Sequence, residues 1–175
     1  LFLRDKASFE RNSATDHGGA LYADVHSIVS LDEGIIIKSN VAEDHGGAIF
    51  VTNEGHVNMK HSQLDGNHAR LGGALYVTQQ GSALVGVNST LKDNYASFDG
   101  GAVYVEKAFV TVANASLLDN DATARGGGIF VDKLGSLTMD FATLARNKVG
   151  GDGGGLYAGL FAKVMVRHSS FLRNR

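Results

Sequence analysis

The sequence contains no cysteine, no proline and no tryptophan among its 175 residues. Without cysteine the chain can form neither disulfide bonds nor thiolate metal sites, and the usual clue to its redox compartment is missing. The absence of proline stands beside 23 glycines, although turns normally draw on both residues. Glycine is therefore expected to serve one purpose that recurs along the chain.

Long apolar runs and an excess of one charge are lacking as well. No stretch approaches the roughly 18 apolar residues of a membrane-spanning helix, so we expect no direct membrane insertion by this segment. The 16 basic and 18 acidic residues are interspersed and give a formal net charge of −2. Since no basic patch is present to attract phosphates, nucleic acid is not an expected partner.

An asparagine recurs about every 27 residues along the whole chain. The seven copies are Asn12, Asn40, Asn67, Asn94, Asn120, Asn147 and Asn174. An apolar residue stands three positions before each asparagine, and a small apolar residue follows two positions after all but the last. A fixed period of this kind is the signature of a stacked repeat protein. It divides the chain into units near residues 1–12, 13–40, 41–67, 68–94, 95–120, 121–147 and 148–174.

A glycine pair occupies a second fixed position in the repeat. The pairs are formed by Gly18 and Gly19, Gly46 and Gly47, Gly72 and Gly73, Gly100 and Gly101, Gly126 and Gly127, and Gly153 and Gly154. Each pair is followed by alanine or glycine and then by an apolar residue and an aromatic one, as in Leu21-Tyr22. Glycine tolerates positive φ and close backbone approach, so the pairs predict sharp turns packed against the turns of neighbouring units.

Short alternating segments such as Val110-Thr111-Val112 fill the rest of each unit. Alternation of β-branched residues favours strands, and no segment shows a helical stripe or cap. Each unit is therefore interpreted as three short strands. Such a unit can bury its apolar side only by closing into a coil that stacks on its neighbours at about 4.8 Å. The sequence predicts an all-β, single-stranded parallel β-helix of about six coils, right-handed by the rule for parallel crossovers.

Residues one period apart become vertical neighbours in a β-helix. The asparagine column then predicts a ladder of side-chain amides in which each hydrogen-bonds to the next, as stacked amides do in cross-β assemblies. The aromatic and valine columns are expected to fill the interior. Both ends of the sequence break off inside the pattern without polar capping units. We therefore expect one β-helix domain over residues 1–175, a fragment of a longer solenoid that contacts other segments or copies end to end or side by side.

Two outward columns of charge alternate in sign. Glu10, Lys38, Asp65 and Lys92 stand two positions before the asparagine, and Asp99, Arg125 and Asp152 stand immediately before the glycine pair. Opposite charges on neighbouring strands contribute about 0.2 to 1 kcal/mol each, and less when they are exposed. Because a slip by one coil would place like charges together, these columns are predicted to help fix the register.

The two signatures Phe/Leu-x-x-Asn and Gly-Gly-Ala-Ile/Leu/Val alternate along the whole chain, from residues 9–12 and 18–21 to residues 171–174. They resemble the repeats of the polymorphic outer-membrane proteins of chlamydiae. The resemblance implies a β-helical autotransporter passenger that is displayed on the cell surface and acts in adhesion. Similar repeats occur in other surface proteins, including those of algae and other protists.

Three classes of function remain open on these grounds. We expect a non-catalytic extracellular or cell-surface segment without a cofactor, an adhesin passenger or stalk whose partner is a host receptor or glycan. The first alternative is a structural subunit of an extracellular filament, appendage or cell wall. The second is a polysaccharide-active enzyme or carbohydrate-binding module.

The enzyme alternative needs clustered carboxylates beside a cation. Asp93 and Asp119 fall in neighbouring units, and their column continues with Arg146 and Arg173. These residues lie in the most regular part of the repeat, whereas catalytic sites usually break regularity. The pattern therefore favours solvated surface charges.

Two further pairs of residues are candidates for a site. His17 and His45 precede the glycine pairs of neighbouring units, and each follows an aspartate, Asp16 or Asp44. Such imidazoles could share a metal with the carboxylates, but duplication of a neighbouring repeat explains the pair more simply.

Asn88 and Asn114 begin Asn-x-Ser/Thr sequons at equivalent positions of adjacent units. They are candidates for N-glycosylation if the protein passes through a eukaryotic secretory pathway. Two stacked glycans would mark that face as exposed to solvent.

Overall fold

Four parallel sheets run along the length of the molecule, and each turn of the chain adds one short strand to every sheet. The computed structural model describes all 175 residues, in 26 strands and no helix. The chain visits the sheets in a fixed order, here named A, B, C and D, before the next coil begins. The predicted all-strand β-solenoid of about six coils is confirmed.

Sheets A and B contain seven strands each. Sheet A consists of β1 (Phe2–Leu3), β5 (Ile28–Leu31), β9 (His56–Met59), β13 (Ser82–Val85), β17 (Phe109–Ala113), β21 (Ser136–Asp140) and β25 (Lys163–Arg167). Sheet B consists of β2 (Ser8–Glu10), β6 (Ile36–Lys38), β10 (Gln63–Asp65), β14 (Thr90–Lys92), β18 (Ser116–Leu118), β22 (Thr143–Ala145) and β26 (Ser170–Leu172).

Sheets C and D contain six strands each. Sheet C consists of β3 (Ser13–Ala14), β7 (Val41–Ala42), β11 (His68–Leu71), β15 (Tyr95–Asp99), β19 (Asp121–Ala122) and β23 (Lys148–Val149). Sheet D consists of β4 (Leu21–Ala23), β8 (Ile49–Val51), β12 (Leu75–Val77), β16 (Val103–Val105), β20 (Ile129–Val131) and β24 (Leu156–Ala158).

The register repeats the period of the sequence. Leu64 in sheet B pairs with Ile37 on one side and with Leu91 on the other, each 27 residues away. The step in sheet D is close to this value, since Tyr104 pairs with Phe130 after 26 residues. Residues one period apart are therefore vertical neighbours in the coil.

A coil contains four strands rather than the three expected from the sequence. The strand that was missed belongs to sheet C and follows the asparagine directly, as in β3 and β7. Its backbone is tied to the next coil, since the Val41 amide donates to the Asn12 carbonyl at 3.0 Å. Four of its six copies are only two residues long, which is too short to show alternation in the sequence.

The interior is a continuous column of 31 buried apolar residues. Alternate positions of each strand enter it, as Val110 and Val112 do on either side of the half-buried Thr111. Burial of apolar surface on this scale is the main force that closes the coil.

The aromatic column does not fill this interior, contrary to expectation. Phe50, Tyr76, Tyr104 and Phe130 form a separate cluster. Because Val103 and Val105 both enter the core, the alternation of β16 turns Tyr104 to the other side of sheet D. Successive rings in this outer column stack with centroids 4.8 to 5.4 Å apart.

Candidate functional site

The asparagines form a continuous ladder at the corner between sheets B and C. Each side-chain Nδ2 donates to the Oδ1 of the asparagine in the next coil, at 2.8 to 3.0 Å over all six steps. The same Oδ1 also accepts the backbone N–H of the preceding asparagine, as Asn94 Oδ1 does from Asn67 at 2.9 Å. The five inner members are almost fully buried.

The second amide hydrogen of each inner asparagine is used as well. Nδ2 of Asn67 donates to the carbonyl of Ile37 at 3.0 Å, and Nδ2 of Asn94 donates to that of Leu64 at 3.1 Å. Both hydrogens of the buried amide therefore have partners, and its oxygen accepts twice. An amide has the two donors and the acceptor that this corner requires, which a carboxylate or a hydroxyl does not.

The two glycines of each pair have different physical roles. The first adopts a left-handed backbone, with φ of 62° at Gly72 as an example. The second does not, but a Cβ on Gly73 would collide with the backbone carbonyls of Gly101 and Tyr95 in the next coil. Conformation explains the first glycine and lack of space explains the second.

The imidazoles of His17 and His45 lie side by side on adjacent coils. Their Nδ1 atoms are 3.1 Å apart, and the two residues form a parallel bridge at their backbones. Burial, and secondly the neighbouring His17, lower the pKa of His45. Asp16 and Asp44 do not join the imidazoles, since no three histidine, aspartate or glutamate side chains converge where they could hold a metal ion.

The carboxylate of Asp119 is engaged by a guanidinium. Arg146 Nε and Nη2 donate to its two oxygens at 2.8 and 2.6 Å. This bidentate contact holds the pKa of Asp119 below its usual value. A general acid of a glycoside hydrolase needs the opposite shift. The column of Asp93, Asp119, Arg146 and Arg173 therefore contains a surface ion pair where the enzyme alternative would place an acid.

Two ion pairs form within the alternating charge columns. Lys92 lies 3.3 Å from Asp65, and Arg125 donates to Asp99 at 2.7 and 3.1 Å. The carboxylate of Asp99 is buried, and the guanidinium of Arg125 lies over the ring of Phe130 with 4.6 Å to the centroid. Lys38, by contrast, forms no ion pair with its neighbours in the column.

Both candidate sequons lie in the loop between sheets A and B. Asn88 and Asn114 are exposed, and each has a left-handed backbone. The Asn88 amide donates to the Asn114 carbonyl at 2.9 Å, so the two residues are stacked on adjacent coils. The two asparagine side chains are thus open to solvent, whereas Ser89 and Ala115, which follow them directly, are buried.

A polar groove at the corner between sheets D and A was not anticipated from the sequence. It has a volume of about 460 Å³ and runs across four successive coils, lined by Val25, His26, Asn53, Glu54, Gln79, Gln80 and Lys107. Asn53 donates to Asp24 at 2.8 Å, and His26 lies 3.2 Å from Glu54. The side chains of Gln79 and Gln80 make no hydrogen bond within the protein.

A signal for the groove exists in the loop lengths. Loops between sheets D and A contain four residues in the first three coils, as in residues 52–55 and 78–81. The loop between β16 and β17 contains only residues 106–108, and it forms the last wall of the groove. A loop that is one residue shorter is easily overlooked in the sequence, because it changes the spacing of the asparagines and glycine pairs by only one residue.

No helical segment of the chain has the length and apolar character needed to cross a bilayer. Comparison with curated proteins finds no match, and neither does comparison with solved structures. The family model of the Chlamydia polymorphic membrane protein repeat matches residues 6–24. This segment contains β2, β3 and β4 together with Asn12 and the first glycine pair. Residues 6–24 are thus similar to a repeat of this family, in agreement with the resemblance seen in the sequence.

Proposed function

We propose that this chain is a non-catalytic segment of an extracellular or cell-surface protein, an adhesin passenger or stalk. The observation that supports this most is the unbroken asparagine ladder, which begins inside the segment similar to the polymorphic membrane protein repeat. A column of six coils rises about 29 Å at the usual strand spacing. Such a rod holds outward side chains at fixed intervals, which suits the display of a binding surface better than it suits catalysis.

Two features of the charged residues also favour a role without catalysis. Asp119 is paired with Arg146, and Asp99 is paired with Arg125. The guanidinium lowers the pKa of Asp119, which is therefore kept ionised and is poorly placed to deliver a proton. The enzyme alternative therefore receives no support from the residues that the sequence suggested for it.

The polar groove is the proposed contact surface of the adhesin. The primary amides of Gln79 and Gln80 can donate and accept hydrogen bonds at once, which sugar hydroxyls and exposed peptide groups both require. A receptor or glycan lying along the rod would meet equivalent side chains at steps of about 4.8 Å. This spacing is close to the length of one hexose unit in an extended glycan.

Adhesion is tested with beads coated with the folded chain and applied to cultured host cells. We expect coated beads to attach, and the double variant Gln79→Ala/Gln80→Ala to attach less. The matched control is Lys133→Ala, an exposed residue in the corresponding loop outside the groove. Equal attachment of beads coated with an unrelated protein would contradict the adhesin role.

Surface location is tested separately on cells that produce the protein. Antibodies against the folded chain are expected to label intact cells as strongly as permeabilised ones. Labelling only after permeabilisation would rule out surface display. This result would leave the fold untouched and would remove the proposed function.

A second candidate, the filament subunit, is favoured by an apolar strip on the same corner of later coils. Phe109, Leu134, Leu160 and Phe161 are each about 60 to 70% exposed. Exposed apolar surface of this kind often marks contact between proteins. Sedimentation analysis would decide: association that Leu134→Ser/Phe161→Ser abolishes supports the filament, and a monomer at all concentrations argues against it.

A further inference from the structure

We propose that His17 and His45 form a two-histidine site for a divalent transition metal such as Zn²⁺, Ni²⁺ or Cu²⁺. The site would link two adjacent coils at the outer side of the glycine turns. It does not depend on the adhesin role, and its test does not use cells.

The separation of the two ring nitrogens fits a shared metal. Their Nδ1 atoms are 3.1 Å apart. With metal–nitrogen bonds of about 2.0–2.1 Å, two ligands lie about 2.9 Å apart at a right angle and about 3.3 Å apart at the tetrahedral angle. The observed separation falls between these limits. The distance between the two ring nitrogens therefore matches that of two imidazole ligands on one ion.

The rings are held in place by the outer aromatic column. His17 stacks on Phe50, with centroids 4.5 Å apart and planes inclined by 16°. His45 lies against Tyr76, also at 4.5 Å. Ligands that are already fixed by packing lose little conformational entropy when the metal binds. Duplication of a repeat explains why two histidines occur, but it does not by itself fix the Nδ1 atoms at this distance.

The contact between the imidazoles is chemically suited to replacement by a metal. Without metal, one ring must carry a hydrogen on Nδ1 and the other a lone pair, so that the pair shares one hydrogen bond. A metal ion displaces this hydrogen from Nδ1 while the same ring takes up a proton at Nε2, so that ring changes tautomer with no net release of a proton, and the metal uses the Nδ1 lone pairs of both rings. Each ring then carries its hydrogen on Nε2.

The other positions around the metal would be filled by water. No third histidine or carboxylate converges on the pair. An open cavity of about 600 Å³ adjoins His17, lined by Ser13, Thr15, Asp16 and Tyr22 among others, and it provides space for bound water. Imidazole ligands suit Zn²⁺, Cu²⁺ and Ni²⁺, whereas Ca²⁺ and Mg²⁺ prefer oxygen. The site should therefore bind transition metals with moderate affinity and should not bind alkaline-earth ions.

The test is calorimetric titration of the whole chain, made without an affinity tag, with chlorides of Zn²⁺, Ni²⁺, Cu²⁺ and Mg²⁺. We expect one equivalent of each transition metal to bind, with Cu²⁺ tightest and no heat from Mg²⁺. The variants His17→Ala and His45→Ala should each bind about tenfold or more weakly. The control variants His61→Ala and His168→Ala alter exposed histidines elsewhere and should bind as the parent chain does.

A second readout guards against variants that fail to fold. Circular dichroism establishes the β-structure of each variant before titration, and thermal unfolding is then followed with and without Zn²⁺. Binding to the native state should raise the Tm of the parent chain and of His61→Ala, but not that of His45→Ala. Folded parent protein that binds no metal, or a folded double variant His17→Ala/His45→Ala that binds equally, would overturn the proposal.

Discussion

The side-chain amide of Asn67 donates to Oδ1 of Asn94 at 3.0 Å, and the backbone amide of Asn67 donates to the same oxygen at 2.9 Å. One oxygen thus serves two donors of the preceding coil. Neither residue is exposed to water by more than 1%. Each step of the ladder therefore depends on the one after it.

Replacing Asn94 by alanine should destabilise the coil strongly. The change leaves both Asn67 donors without their partner and removes the donor to the Leu64 carbonyl. Buried donors without partners cost about 1 to 3 kcal/mol each, so we expect a loss of about 3 kcal/mol or more in the free energy of unfolding. Urea denaturation followed by circular dichroism measures it. The control Asn12→Ala, at an exposed end of the ladder, should cost less than about 1 kcal/mol.

A methyl group on the second glycine of a pair should also be poorly tolerated. In Gly73→Ala the added Cβ meets two backbone carbonyls of the next coil, which can yield only if the coils separate. We expect a loss of about 2 kcal/mol or more, within the range for overpacking.

The matched control is Gly66→Ala. Gly66 has a left-handed φ of 60°, but its Cβ would meet only the Ser39 hydroxyl at 3.8 Å. Asp93 holds the same conformation one coil away. The control should therefore cost no more than about 1 to 2 kcal/mol, the penalty for a left-handed residue. Equal losses in both variants would contradict the distinction between conformation and space.

The buried carboxylate of Asp99 should depend on Arg125. In Arg125→Met it would remain inside without its bidentate partner. Breaking a buried pair is costly, but the half-exposed guanidinium reduces the effect, so we expect a loss of about 2 to 3 kcal/mol. Arg146→Met removes the solvent-exposed pair with Asp119 and should destabilise the fold much less. Denaturation midpoints in matched urea series compare the two.

Alkaline pH should weaken the fold through two tyrosines of the aromatic column. Burial, together with hydrogen bonds to Glu106 and Asp132, holds the pKa of Tyr76 and of Tyr104 well above the usual value. The folded state therefore keeps both phenols protonated at a pH where the unfolded chain releases its protons. Stability is fully present below the unfolded pKa of about 10 and falls as pH rises above it. Tyr76→Phe/Tyr104→Phe should flatten this decline, measured as Tm between pH 8 and 11.

The sequence was sufficient to predict the architecture because its strongest signals are columns. Asn40 and Asn67 can be aligned without coordinates, and a unit without a helix has no other way to bury its apolar side. The amide at that position then follows from the need to satisfy buried donors and acceptors in every coil. The predicted register therefore agrees with the pairing of Leu64 and Leu91.

The position of the aromatic column, which the sequence did not predict, depends on which side of a short strand each side chain lies. Tyr104 follows Val103 and precedes Val105, and this alternation alone could have predicted that its side chain points away from the core. Large aromatic residues are so often buried that they were assigned to the interior. The outer stack buries them by covering each ring with the next, which depends on neighbours 26 to 28 residues away.

The groove and the contact between the two histidines could not be predicted from the sequence, for a different reason. The sequence places His17 above His45, but the distance between their Nδ1 atoms depends on side-chain rotamers that Phe50 and Tyr76 select. The groove is lined by loop side chains whose residue types differ from coil to coil, so no column of identical residues marks it in the sequence. Sites of this kind depart from the repeat, whereas the repeat is what the sequence reveals.

Distances between spin labels test the stacking of coils most directly. The chain has no cysteine, so labels attach only where cysteine is introduced. Ser30 is the fixed position, and Thr111, Thr138 and Met165 are its partners three, four and five coils away in sheet A. Pulsed electron paramagnetic resonance should give backbone separations that rise in equal steps, near about 14, 19 and 24 Å. Separations that do not increase in equal steps would contradict the β-helix and the role drawn from it.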